Sequence, residues 1–211
     1  MKHRIATVAA LAVAAAIAFT PAHAFRMIQN TSVGRVSAGA AVTCNAAGGF
    51  THWVNKNITW ELNTSGQGFG KDAALLASLT SWNVSAAEHT LTPGLTTTRG
   101  FVTDGHNTVI FARGNGCNGN CLAITALVLS AGQVITETDI SFSSRWAWNT
   151  NGSDIDFQAV CTHELGHSLG IHHTEVTGTP RPTMYASYFG TDGRTLENDD
   201  DSAISCSESH Y

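Results

Sequence analysis

His163, Glu164 and His167 form an H-E-x-x-H pattern that continues through Gly170 to His173. On a helix, residues four apart lie one turn apart on the same side, so His163 and His167 present two imidazoles to one point. Glu164 sits about 100° around from the first of them, close to a bound ion yet available to a water molecule. Gly170 admits a backbone turn that other residues resist, and such a turn swings His173 back as a third ligand. His172 is the competing third donor, and the spacing favours His173. Three imidazoles with one open position are the donor set of a catalytic zinc, whereas structural zinc is closed by four protein ligands. The chemistry expected of this set is hydrolysis, with Glu164 as general base.

These residues need a helix to carry them, and the sequence supplies one. Asp156 is a good N-cap, and Phe157, Val160, Cys161, Leu165 and Leu169 make an apolar stripe that ends at Gly170. Cys161 lies about 200° around from His163, on the row of Leu165 and Leu169, which makes it a core residue and not a ligand. Elsewhere, residues 57–63 alternate like a strand, and residues 71–88 carry Ala73, Leu75, Leu76, Leu79, Trp82 and Val84 in helical rows, with Pro93-Gly94 as a terminator beyond them. Short strands are expected at 100–103, 108–112, 122–130 and 134–142, and a last helix from the Asp199 to Asp201 cluster. Residues 25–49 carry little pattern. This order predicts a mixed α/β domain on a single sheet.

The chain has 211 residues, 43% hydrophobic and 13% charged, with a formal net charge of −5. Residues 1–24 read as a cleaved secretory signal: Lys2, His3 and Arg4, an Ala-rich apolar run, Pro21, then the small-residue site Ala22-His23-Ala24. The run is shorter than the ~20 apolar residues that span a bilayer, so no membrane anchor is expected after cleavage. The mature chain divides into an N-terminal segment at 25–49 and a catalytic domain at 50–211. The acidic balance argues against nucleic acid as a partner. The expectation is a monomer outside the cell or in the periplasm. Export also places the five cysteines where disulfides persist. Several pairings are open; the preferred ones are Cys117 with Cys121, inside a Gly/Asn-rich loop, and Cys44 with Cys206, leaving Cys161 over.

The extended zinc motif resembles that of the metzincin peptidases, and the sequence most resembles the matrixins among them, the family of the matrix metalloproteinases and simpler bacterial relatives. Pro182-Thr183-Met184-Tyr185 is similar to the clan's Met-turn, residues 195–204 to the start of the matrixins' last helix, and residues 58–63, 122–125 and 139–142 to family strands. The resemblance implies a zincin-like α/β (α+β) fold. Its parts are a twisted, mostly parallel mixed sheet with an antiparallel edge strand, a long active-site helix, a Met-turn placing Met184 beneath the histidines, and a C-terminal helix. It implies a zinc endopeptidase acting on protein or peptide substrates, with one catalytic Zn2+ on His163, His167 and His173. An extended peptide would add to the edge strand through Leu122, Ala123, Ile124 and Thr125, while Tyr185, Tyr188 and residues 174–183 shape the pocket beyond the cut.

The resemblance has departures. Thr174 stands where matrixins usually carry Ser, and neither the His/Asp-rich loop for a second zinc and a calcium nor the family's latency cysteine motif has a counterpart. Cys44 is open to a second reading as a latency thiolate, with the disulfide favoured. Residues 149–156 offer oxygens and a Gly but depart from the EF-hand spacing, so they read as a turn and helix cap, and calcium has no recognisable site. Two other function classes stand beside the peptidase. A zinc-stabilised binding protein is disfavoured by the open coordination position and Glu164; a zinc hydrolase of non-peptide substrates is disfavoured by the edge strand and Met-turn.

Overall fold

Three short strands, β1 (Arg26–Gln29), β2 (Gly34–Val36) and β3 (Ala40–Val42), lie in the segment with the weakest sequence pattern. The computed structural model describes residues 25–84 and 87–209, so the expected signal at 1–24 falls outside it. After β4 (His52–Trp53) and β5 (Asn57–Asn63) comes the first helix, α1 (Asp72–Trp82), followed by β6 (Thr90–Thr97), β7 (Asn107–Ala112), β8 (Ala123–Leu129) and β9 (Val134–Ser143). Two bridges, β10 (Trp148–Asn149) and β11 (Ile155–Asp156), lead into α2 (Phe157–Ser168), then β12 (Ile171–His172) and α3 (Asn198–Ser209).

The main sheet runs β2-β8-β9-β7-β5-β6, with β4 beside the start of β9. Strands β6, β5, β7 and β9 are mutually parallel, and β8 is antiparallel to β9. The fold is therefore mixed α/β with a mostly parallel sheet and an antiparallel strand on the side toward the cleft. In β5 the alternation expected from sequence buries Ile58, Trp60 and Leu62 on one face. Strand β9, inside the sheet, is buried almost without interruption, as a parallel-type central strand must be.

Several local expectations change. α1 stops at Trp82 and does not reach residue 88; the Asn83 side chain instead bonds the backbone N–H and C=O of Leu91, joining the helix end to β6. Pro93 and Gly94 lie within β6, which is the last strand of the sheet, where a missing ladder donor is tolerated. Residues 100–103 form a loop. The single sheet expected becomes three, because β12-β1-β3 and β10-β11 pair separately. Residues 25–49 are joined to the domain, with Phe25 and Met27 in the main core and Cys44 bonded to Cys206 of α3 across 162 residues of sequence. Cys117 is bonded to Cys121, and Cys161 is free and fully buried.

Helix α2 begins as its sequence dictates. Asp156 takes the N-cap, its carboxylate accepting from Ala159 N at 2.9 Å. Burial raises the Asp156 carboxyl, but hydrogen bonds from Arg194 and Ala159 outweigh it and bring the group below the ordinary range. The helix packs against α1, β8 and β9, and the indole N–H groups of Trp82 and Trp53 donate to the carbonyls of Thr162 and Ser168. Gly170 ends it at φ +84, and a Cβ there would sit 2.2 Å from the Thr51 carbonyl oxygen. Gly170→Ala is expected to destabilise the domain by about 1–3 kcal/mol, through left-handed strain and overpacking together, readable as a fall of several degrees in thermal midpoint.

Candidate metal centre and substrate groove

His163 and His167 project from one side of α2, and the turn at Gly170 carries the chain into β12 and back to His173. The ring centroids of the three imidazoles lie 4.7, 4.8 and 5.2 Å apart, and one nitrogen from each falls within 4.8 Å of the others. His167 Nε2 is 3.2 Å from His173 Nε2. Two ligand nitrogens on a tetrahedral zinc would be about 3.3 Å apart, so the donor set fits that ion. Among the described residues this is the one cluster of three or more His, Cys, Asp or Glu able to hold a metal. His172, the competing donor, is not in it.

Backbone carbonyls fix two of the rings. His163 Nδ1 is 2.7 Å from Thr183 O and His167 Nδ1 is 2.8 Å from Ile171 O. An N–H at each Nδ1 donates to the carbonyl and leaves Nε2 as the free donor, the usual arrangement behind a metal-binding imidazole. Burial, then the neighbouring His163 and His173, hold His167 well below the ordinary imidazole value; burial, His163 and His172 bring His173 down to about 4. Both rings are therefore neutral at pH 7 and able to coordinate.

Glu164 is 6% exposed, and its Oε2 accepts from the Thr125 hydroxyl of β8 at 2.6 Å. Burial pushes the carboxyl up, opposed by His163 and by the Thr125 hydrogen bond. The sequence groups Thr125 with peptide-contacting residues; the structure buries its side chain on Glu164, because β8 and α2 pack together there. No local spacing signals that pairing.

Met184 is 1% exposed and packs under α2 where Gly166 has no side chain: a Cβ at Gly166 would lie 2.2 Å from Met184 Sδ. The turn carrying Met184 hangs on α3. Asp200 accepts from the amides of Thr183 at 2.8 Å and Met184 at 3.1 Å, while burial raises its carboxyl to about 6 against the pull of the Glu197, Thr183 and Met184 amides. Asp199 accepts from the Thr174 hydroxyl at 2.5 Å, beside His173. The sequence offered these aspartates only as a favourable helix N-terminus; their reach to the site is a tertiary fact.

Two cavities meet at the histidines and share Ala123, Glu164 and His173. The larger, about 530 Å³, is lined by Leu122, Val160, Tyr185 and Tyr188 among others. Tyr188 also braces the start of α2, its hydroxyl accepting from Asp156 N and donating to Asp154 O. The smaller, about 270 Å³, runs along Ile124 and Thr125 of β8.

Parts of this chain are similar to known proteins. Karilysin of Tannerella forsythia is 46% identical over 57 residues, covering 27% of this chain and 11% of karilysin. Matrilysin of Felis catus is 43% identical over 53 residues, covering 25% and 19%. Interstitial collagenase of Equus caballus is 35% identical over 66 residues, covering 31% and 13%. Each alignment thus takes in less than a fifth of the relative's length. The matrixin family model, by contrast, matches residues 52–206, most of the 211-residue chain, and on that match the chain belongs to the matrixin family.

Proposed function

We propose that this protein is a secreted zinc endopeptidase in which Glu164 is the general base and His163, His167 and His173 hold the metal. The observation that carries the reading is the convergence of three imidazoles beside a buried carboxylate, where two cavities join along one strand. A zinc ion on these imidazoles would supply Lewis-acid polarisation at its fourth position. Residues 123–126 of β8 pair with β9 on one side only, so their other edge offers backbone groups to an extended peptide. Antiparallel addition suits this edge, since both neighbours of β8 are antiparallel to it. Glu164 takes the proton from the attacking water and returns it to the leaving amine, and Thr125 holds one carboxylate oxygen so that the other faces the reaction. The larger cavity, walled by Leu122, Tyr185 and Tyr188, takes the side chain beyond the cleaved bond.

Secretion rests on the signal-like residues 1–24. Among the described residues no helix is long and apolar enough to cross a membrane.

A mixed peptide library incubated with the zinc-loaded protein tests the activity. Cleavage is expected, with loss on chelation and recovery on adding zinc. Intact peptides after incubation with zinc-loaded, folded protein would sink the reading. Thr125→Val should lower kcat about tenfold, the worth of one hydrogen bond to a charged group, with zinc content unchanged. Because that bond lowers the Glu164 pKa, the acid limb of the rate profile should move to higher pH in the variant.

A further inference from the structure

The groove on β8 is not open along its whole length. Strand β2 pairs antiparallel with its far half, Gly34 opposite Leu129, Arg35 opposite Val128 and Val36 opposite Leu127. The chain then continues through Ser37, Ala38 and Gly39, which form the far wall of the smaller cavity against Thr125 and His173. A peptide added antiparallel to residues 123–126 would run in the same direction as β2, in the same row, with its N-terminal end pointing at Val36 and Ser37. The cavities share Ala123, so a bond cleaved at their junction would lie opposite that residue, with only Ile124, Thr125 and Ala126 between it and the first β2 pair.

We propose that residues 34–39 are a built-in end-stop of the substrate groove, limiting the extended part of a peptide on the N-terminal side of the cleaved bond to about three residues, or about 10 Å. The inference rests on the peptidase reading above. The stop is fastened at several points. The Arg35 guanidinium reaches past β8 to Asp139 of β9 at 2.9 Å and lies 4.2 Å from the Phe101 ring centre. Val36 packs on the apolar cluster of Ile28, Leu127, Leu129 and Ile135. Asn30 Nδ2 donates to Ala38 O at 2.5 Å, and a Cβ on Gly39 would meet Ile28 and the Gln29 carbonyl oxygen at 2.6 and 2.9 Å, so the chain is pressed onto β1. On either side, β1 and β3 pair with each other, and β1 pairs also with β12 next to His173. Such a segment acts as a fixed wall, and a longer substrate must leave the strand row where it meets it. The preferred substrates are then peptides and chain ends with a short N-terminal part, while the C-terminal side, along the larger cavity, carries no such limit.

The test is a series of acetylated peptides with a constant C-terminal part and one to six residues before the cut, assayed with the zinc-loaded protein. kcat/KM is expected to rise up to three residues and to change less than about twofold, or fall, from three to six. The same break is expected in Kd for fluorescent peptides on zinc-loaded Glu164→Gln, by anisotropy. Ala38 is exposed, so Ala38→Trp should fold with the wild-type thermal midpoint and zinc content, yet fill the small cavity and remove the gain from the third residue. Arg35→Gln, loosening the stop, should raise the rate on the six-residue peptide relative to the three-residue one. A wild-type rate that climbs tenfold or more between three and six residues, or an Ala38→Trp profile identical to wild type, overturns the end-stop alone. Failure to cleave or bind any peptide of the series overturns the peptidase reading and the end-stop with it.

Discussion

Glu164→Gln is expected to keep the fold and the zinc while cutting peptide hydrolysis by at least ~100-fold, the lower range of what a positioned general base contributes. The amide nearly matches the carboxylate in shape, and its oxygen can still accept from the Thr125 hydroxyl, so β8 and α2 should stay packed as they are. What disappears is the capacity to take a proton from water. The substitution also removes a buried charge that the site has to hold in place. Glu164 is 6% exposed, and burial pushes its carboxyl up, so the neutral amide is expected to leave the thermal midpoint unchanged or raise it. Metal analysis, a melting curve and a peptide assay on one preparation check all three statements. Retained activity in a zinc-loaded variant would take Glu164 out of its role.

His167→Ala should have the second large effect: zinc stoichiometry falling from about one toward zero, and activity with it, because two imidazoles do not make a tight site. The folded variant should also lose the rise in thermal midpoint that zinc gives the wild type, since only ligand bound to the native state stabilises it. Acid should imitate the mutation. In the metal-free fold His167 lies well below the ordinary imidazole value and His173 at about 4, whereas both titrate near ~6.5 once unfolded. Between those values the unfolded chain binds more protons than the folded one, so stability is full above pH ~6.5 and is lost as pH falls toward 4. Bound zinc adds to this slope, because protons compete for the same nitrogens and should displace the ion over that range. A titration of zinc content and melting temperature from about pH 7 to about pH 4 checks the sign. A site that kept its zinc at the acid end would contradict imidazole ligation.

The convergence of the three histidines could be read in the sequence because its geometry is local. His163 and His167 are joined by one helical turn, Asp156 caps that helix from its own chain, and Gly170 supplies the turn that returns His173. Four residues of α-helix have one outcome, so spacing translates directly into position. The alternating strand at residues 57–63 was legible for the same reason, as was the position of Cys161 on the buried side of α2.

Contacts made across the sheet had no such local rule. Thr125 and Glu164 are 39 residues apart, and only the packing of β8 on α2 makes the hydroxyl a partner of the carboxylate. Asp200 holds the Met184 turn from the far end of the chain. Pro93 looks like a terminator by itself and becomes acceptable in β6 only because that strand ends the sheet. Residues 25–49 show the limit most clearly. Their short strands have too few residues for a periodic signature, and they take their form from partners at residues 127–129 and 171–172. From its sequence alone this protein determined the three-histidine cluster, the carboxylate beside it and the α/β character, since each comes from the backbone geometry of neighbouring residues. The tertiary structure decided what orients Glu164, what supports the Met184 turn behind the histidines and where β2 covers the edge of β8, because hydrogen bonds and strand pairs between distant segments exist only after the chain has brought them together.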